Sequence, residues 1–264
     1  MRRRVLIATA LLIVAGNLPA RGQATRDRAR LVFTVSGGVV VGRHLWSIAR
    51  QPVQFTTPAD SFDLGRRIRT TIGIGFGGAY YPKEQIGIGV EGFLIGLGFE
   101  DSCRLAFSSG SGDAATTCES IQGATKSATA VALSAGPILR TKSSGLISPY
   151  ARANLGFVIS NQSSLRTIGR FPTSIGTAER IVYDDDHDSR IAPSFALGLG
   201  FTAAVAKGYQ LRWEIRDNIV GLQRVTAATP QSDLVPPHEL TFKHLFSMTV
   251  GFDVVLERRR GRRY

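Results

Sequence analysis

Two side chains near the C-terminus, His244 and Ser247, are of the types that supply the base and the nucleophile of an esterase. The sequence around them alternates as a β-strand does, and residues three apart in a strand point to opposite faces. They therefore cannot share a hydrogen bond unless a bulge intervenes. His44 and His238 have no acid and nucleophile pattern beside them. We predict that no residue is catalytic and that the protein is not an enzyme.

Two further motifs could bind a ligand, but neither has the context that binding requires. The run Asp184–Asp188, which includes one histidine, lacks the spacing of a calcium-binding loop, and like-charged runs are usually solvated. Gly73, Gly75 and Gly78 match the fingerprint G-x-G-x-x-G, which must open a helix to bind a dinucleotide. Tyr80-Tyr81-Pro82 follows instead. We therefore predict no metal site and no cofactor.

The N-terminus has the three parts of a secretory signal peptide. Met1–Arg4 is positively charged, and Val5–Gly16 is apolar but too short to span a bilayer. Small residues then offer cleavage after Ala24 or, as an alternative, after Ala20. We predict a signal peptide over residues 1–24 and an exported protein.

Export changes the expectation for the two cysteines. Cys103 and Cys118 are the only cysteines of the chain, and disulfides form and persist in oxidising compartments. We predict that they are bonded to each other, which would stabilise a loop of this size by about 3 kcal/mol.

The positive charge is concentrated at the two ends of the chain. The net charge is +12, and removal of residues 1–24 takes four arginines with it. Five more arginines lie in a basic tail, residues 257–264, predicted to be periplasmic. The body is close to neutral, so we predict no binding to nucleic acid, although a basic chain raises that question.

Eight segments alternate large apolar residues with small or polar ones, which is the period of β-strands. Tyr209–Arg216 is the clearest, because its second face is charged. The segments lie near residues 30–41, 67–81, 85–99, 126–140, 148–160, 190–205, 209–221 and 239–256. Long and short connections alternate between them, as they do at the two rims of a transmembrane barrel. We predict an all-β fold, an eight-stranded antiparallel up-and-down transmembrane β-barrel over residues 25–256.

The second face of these strands decides which side of the barrel faces lipid. It carries six charged residues, and an arginine at the bilayer midplane costs about 2–4 kcal/mol. These charges must face a narrow lumen, where we predict that they pair and form a plug. They are Glu91, Arg152, Arg212, Glu214, Arg216 and Asp253.

Four tyrosines lie beside the short connections, at one end of the strands. Aromatic residues form girdles at the two interfaces of transmembrane barrels. We predict that Tyr80, Tyr81, Tyr150 and Tyr209 form one interfacial girdle.

On these residues the chain resembles the eight-stranded outer-membrane barrels of Gram-negative bacteria, the OmpA/OmpX-like class. Leu211–Asp217 is similar to the charged penultimate strand of that class. Its assembly signal, polar-x-Gly-x-x-Φ-x-Φ, is matched by Thr249, Gly251, Val254 and Leu256, although the tail displaces the usual terminal aromatic residue.

The resemblance implies a location and a set of partners. The location is the bacterial outer membrane. The partners are its lipid and lipopolysaccharide and the barrel assembly machinery, and the expected state is a monomer. We expect a non-enzymatic protein with a structural or surface-interaction role through long extracellular loops. The alternatives are a small solute channel, a lipid-modifying enzyme and, for the fold, a soluble lipocalin-like barrel.

Overall fold

The structure is a computed structural model, and it describes residues 30–55, 57–110, 112–141, 146–161, 163–185 and 190–257. The predicted signal peptide and the tail beyond residue 257 lie outside the described residues. The elements of the described part are, in chain order, β1 (Arg30–Val40), β2 (His44–Val53), β3 (Asp60–Ile68), β4 (Thr71–Tyr81), β5 (Ile86–Gly96), β6 (Phe99–Phe107), α1 (Gly112–Ile121), β7 (Thr125–Lys126), β8 (Thr129–Arg140), β9 (Ile147–Ser160), β10 (Thr167–Thr173), β11 (Gly176–Tyr183), β12 (Arg190–Ala206), β13 (Tyr209–Val225) and β14 (His238–Glu257).

Eight of these strands form a closed antiparallel barrel in the order β1-β14-β13-β12-β9-β8-β5-β4. β1 closes it by pairing with β14 on one side and β4 on the other, so that Thr34 lies opposite both Asp253 and Gly77. The predicted all-β class and up-and-down barrel are confirmed. The short connections and both described chain ends lie at one end of the barrel, called the turn end, and the long connections lie at the loop end.

Large apolar side chains point outward from the barrel, and small or polar ones point inward. This follows from the period of two in each strand. Gly78 differs from the lumen-facing glycines Gly73 and Gly75, because its even position on β4 turns it outward. The exposed apolar belt includes Val35, Phe76, Leu199, Ile215 and Phe252. No helix within the described ranges is long and apolar enough to cross a membrane.

The long connections fold into a second layer over the loop end, where the sequence predicted only loops. This loop layer consists of the sheet β2-β3-β6-β7, the hairpin β10-β11 and α1. Its buried side chains, such as Trp46, Phe62 and Phe99, continue a core that begins inside the barrel with Phe93 and Leu245. The layer forms because these apolar residues cannot be buried by the barrel strands alone.

A fully buried arginine ties the loop layer together. The Arg66 guanidinium makes a bidentate ion pair with Asp101, with Nη2 2.7 Å from Oδ2, and Nη1 donates to the carbonyl of Ser164 at 2.8 Å. The guanidinium carbon of Arg66 lies 5.5 Å from the ring centroids of both Trp46 and Phe99. A buried arginine needs such partners, since an isolated buried charge is costly.

Candidate functional site

Four of the six predicted lumen charges form one cluster inside the barrel. Arg152 on β9 contacts two carboxylates, with Nη1 3.0 Å from Glu91 Oε2 and Nη2 2.7 Å from Glu214 Oε1. Arg216 on β13 contacts the same two, with Nη2 2.8 Å from Glu91 Oε1 and Nε 2.8 Å from Glu214 Oε1. Each charged group therefore has two partners of opposite sign.

The remaining two charges form a pair beside this cluster. Arg212 Nη2 lies 2.8 Å from Asp253 Oδ2, and the Thr34 hydroxyl donates to Asp253 Oδ1 at 2.8 Å. The guanidinium stacks 4.9 Å from the Tyr150 ring. All six residues, called the lumen network, thus come from four strands and are balanced at three positive and three negative charges.

Glycines on neighbouring strands make room for these long side chains. A Cβ at Gly75 would lie 2.6 Å from Ser36 Oγ and 3.1 Å from Glu91 Oε1. A Cβ at Gly198 would lie 2.5 Å from Glu214 Oε1. The small inward residues of the strands are therefore what allows charged groups to cross the lumen.

Only two of the four tyrosines predicted for the girdle face outward. Tyr80 and Tyr209 are exposed, but Tyr81 and Tyr150 are buried in the lumen. The Tyr150 hydroxyl donates to Glu214 Oε2 at 2.6 Å, and Tyr81 lies under the Arg140 guanidinium. The girdle prediction is wrong for these two because it used height along the barrel and ignored side-chain alternation, which places adjacent residues on opposite faces.

The barrel interior holds little free space at the level of the lumen network. A cavity of about 20 Å³ lies beside the lumen network, lined by Thr34, Glu91, Arg152 and Arg212 among others. Towards the loop end, Phe93, Ile95 and Leu245 are almost fully buried under Leu97 and Phe99. The lumen is thus filled by charged groups at one level and by apolar groups above it.

The other predicted site residues occupy distinct places. Cys103 on β6 and Cys118 on α1 form the predicted disulfide, which joins two elements of the loop layer. On β14, Thr249 and Gly251 are buried on the inner face, whereas Val254 and Leu256 lie on the outer face.

The histidine and the serine of the last strand are far from forming a catalytic pair. Ser247 is buried in the lumen, and His244 is exposed on the outer face, where its Nδ1 lies 2.7 Å from Asp217 Oδ2. In the acidic run, Asp184 and Asp185 pair with Arg166 and Arg190. The other three residues of that run lie outside the described residues.

Sequence reasoning missed a side pocket in the barrel wall. β12 pairs with β13 only from Ser194 towards the turn end, so the described ladder is open between Arg190–Pro193 and Gly221–Val225. A cavity of about 280 Å³ fills this opening and reaches from Ile191 and Leu240 on the outer face to buried groups inside. Those groups include Phe99, Val158, Ser160, Ser164, Ala192 and Leu222. Pro193, which cannot donate to a sheet ladder, was the one signal in the sequence.

Comparisons with known proteins agree with this architecture. No protein-family model matches the chain, and no curated protein sequence matches it. Among solved structures, the outer membrane protein OprG from Pseudomonas aeruginosa matches with a TM-score of 0.53 and 7% identity, over 88% of this chain and 98% of that chain. The Neisserial surface protein NspA matches with a TM-score of 0.41 and 10% identity, over 87% and 99%. The chain has the fold of eight-stranded outer-membrane barrels.

Proposed function

We propose that the protein is a monomeric, non-enzymatic barrel of the bacterial outer membrane whose sealed lumen makes it an anchor rather than a channel. The observation that carries this is the lumen network, in which six charged groups pair across the barrel interior. The loop layer then serves as a folded surface for contact with other molecules outside the cell.

The exposed apolar belt supports insertion in a membrane. Side chains such as Ile72, Leu199 and Met248 are more than half exposed on the barrel wall, and a contiguous apolar surface of this kind marks a membrane or protein contact. Closure of the barrel also pairs the described strands along most of their length, the opening between β12 and β13 excepted, and hydrocarbon requires such pairing of backbone groups.

Cysteine labelling on intact cells tests both the location and the orientation. Ile175, at the tip of the β10-β11 hairpin, is 97% exposed, and Lys207 lies in the β12-β13 turn at the opposite end. A membrane-impermeant maleimide should label Ile175→Cys on intact cells, and Lys207→Cys only after the outer membrane is permeabilised. The reverse pattern, or no labelling of either, would reject the proposal.

Insertion depends, in this proposal, on the last strand as a signal for the barrel assembly machinery. Thr249, Gly251, Val254 and Leu256 fit the spacing, and the last two present apolar groups on the outer face of β14. The double substitution Val254→Asp and Leu256→Asp should abolish outer-membrane insertion. Normal levels of the inserted variant would exclude this role.

The side pocket favours a second candidate function, the binding of a small apolar or amphipathic solute at the barrel wall. The pocket joins the outer apolar face to the interior, and it offers hydroxyls of Ser160 and Ser164 beside apolar groups. A dodecyl diazirine probe should crosslink to wild-type protein at this wall. The pocket-filling change Ala192→Phe should remove that labelling while leaving the rest of the labelling pattern unchanged, and unchanged labelling would exclude the candidate.

A further inference from the structure

A basic cavity lies at the loop end, where two linkers meet. The linker from β1 to β2 and the linker from β3 to β4 run side by side, with the Ile68 amide donating to the Arg43 carbonyl at 2.7 Å. The Gly42 amide donates to Thr70 Oγ1 at 3.1 Å. Gly42 permits this approach, because a Cβ there would lie 2.1 Å from the carbonyl oxygen of Ile68.

The cavity carries an excess of positive charge. Its volume is about 610 Å³, and its lining includes three arginines and a single acid: Arg43, Arg67, Arg69 and Glu100. Glu100 already pairs with Arg67, at 2.7 Å from Nη2. Within the described residues, Arg43 and Arg69 have no carboxylate partner, so their guanidinium groups are available to an external anion.

The cavity sits directly above the exposed apolar belt. Val41, the first residue after β1, and Ile72, near the start of β4, are exposed on the outer face, Ile72 by 72%. The Arg43 guanidinium carbon lies 5.7 Å from the ring centroid of Phe246, which also faces outward. A lipid whose acyl chains cover this part of the belt would therefore hold its headgroup at the height of the cavity.

We propose that Arg43 and Arg69 bind the phosphate of a lipid headgroup in the outer leaflet. Guanidinium groups bind phosphate through paired, charge-assisted hydrogen bonds, and basic residues beside a membrane attract anionic lipid. A lipid is favoured over a soluble anion because the charged cavity and the apolar belt adjoin. The assignment to the outer leaflet rests on the proposed function, whereas headgroup binding itself does not.

Native mass spectrometry of the refolded protein in detergent tests the site with three probes: phosphorylated lipid A, dephosphorylated lipid A and inorganic phosphate. Wild-type protein should retain phosphorylated lipid A at least about tenfold better than the dephosphorylated form, the preference expected from charge-assisted hydrogen bonds to the phosphate. The double variant Arg43→Gln, Arg69→Gln should lose this preference. The matched variant Arg170→Gln, Arg180→Gln, on the β10-β11 hairpin, should keep it, with heat-modifiable gel migration confirming that each variant is folded.

Three outcomes would overturn the inference. They are equal retention of both lipids, equal retention by wild type and the Arg43/Arg69 variant, and displacement of the lipid by inorganic phosphate at equal concentration, which would identify a soluble anion as the ligand. Because the measurement is made in detergent, its failure is separate from a failure of outer-membrane location, which the cysteine labelling tests.

Discussion

Arg212 and Asp253 form a buried ion pair although 41 residues separate them, with 2.8 Å between Nη2 and Oδ2. The carboxylate also accepts the Thr34 hydroxyl, so the contact joins β13, β14 and β1 at the place where the first and last strands close the barrel. The Asp253 carboxylate therefore takes part both in closing the barrel wall and in filling the lumen.

Asp253→Ala should destabilise the barrel strongly, because it leaves the Arg212 charge buried without its partner. The expected loss is roughly 3–5 kcal/mol, measured by urea unfolding of the refolded protein. The control is Asp63→Ala, whose partner Arg104 is 81% exposed, and its loss should be much smaller because solvent and salt screen an exposed ion pair. Equal, small losses in both variants would show that the lumen is hydrated.

Gly198→Leu should also destabilise the barrel, since its side chain would occupy the position of the Glu214 carboxylate. Overpacking of this kind costs about 1–3 kcal/mol. Gly37→Leu is the matched control, because the nearest atom to a Cβ at Gly37 is the Gly73 carbonyl oxygen at 3.8 Å. The measurement is again the free energy of unfolding in urea. Equal stability of the Gly198 and Gly37 variants would contradict the tight packing around Gly198.

The barrel could be predicted from the sequence because a single period of two determines both strand and face. Leu211–Asp217 shows this best, since apolar and charged residues alternate without interruption. The same alternation would have corrected the girdle, because Tyr80 and Tyr81 are adjacent and cannot share a face. The partners within the lumen network could not be assigned, because strand register is not determined by the pattern alone.

Part of the loop layer could have been predicted from the sequence. Phe62, Leu64 and Ile68 alternate along β3, and the buried residues of α1, Ala114, Thr117, Cys118 and Ile121, recur at helical spacing. These segments are short and interrupted, so they did not stand out beside the longer barrel strands. The Arg66–Asp101 pair left no signal, because a contact between residues 35 apart arises only when β3 and β6 align.

The disulfide should stabilise the loop layer and leave the barrel unaffected, because it joins β6 to α1 above the barrel. In the variant Cys103→Ala, Cys118→Ala, limited proteolysis should cleave the α1 region faster. Heat-modifiable migration of the barrel should be unchanged. Loss of that migration would mean that the layer is required for barrel folding.

The Lys126 ammonium gives the loop layer a dependence on pH. Burial, and next the nearby Arg66 charge, lower its pKa from 10.5 to about 8, while Nζ donates to the Arg166 carbonyl at 2.6 Å. Between these two values the unfolded layer binds more protons than the folded one, so stability rises with pH through this window.

The measurement is urea unfolding followed by Trp46 fluorescence in a Trp213→Phe background, from pH 7.5 to pH 10.5. Lys126→Met should flatten the rise of the unfolding midpoint with pH. If the midpoints of wild type and variant rise in parallel, Lys126 does not have a lowered pKa.

The most direct test of the sealed lumen is single-channel conductance of the refolded wild-type barrel in a planar bilayer. The paired charges and the apolar groups above them predict insertion without stable current steps. A stable, open, ohmic pore would contradict the sealed lumen and would make solute passage the primary function.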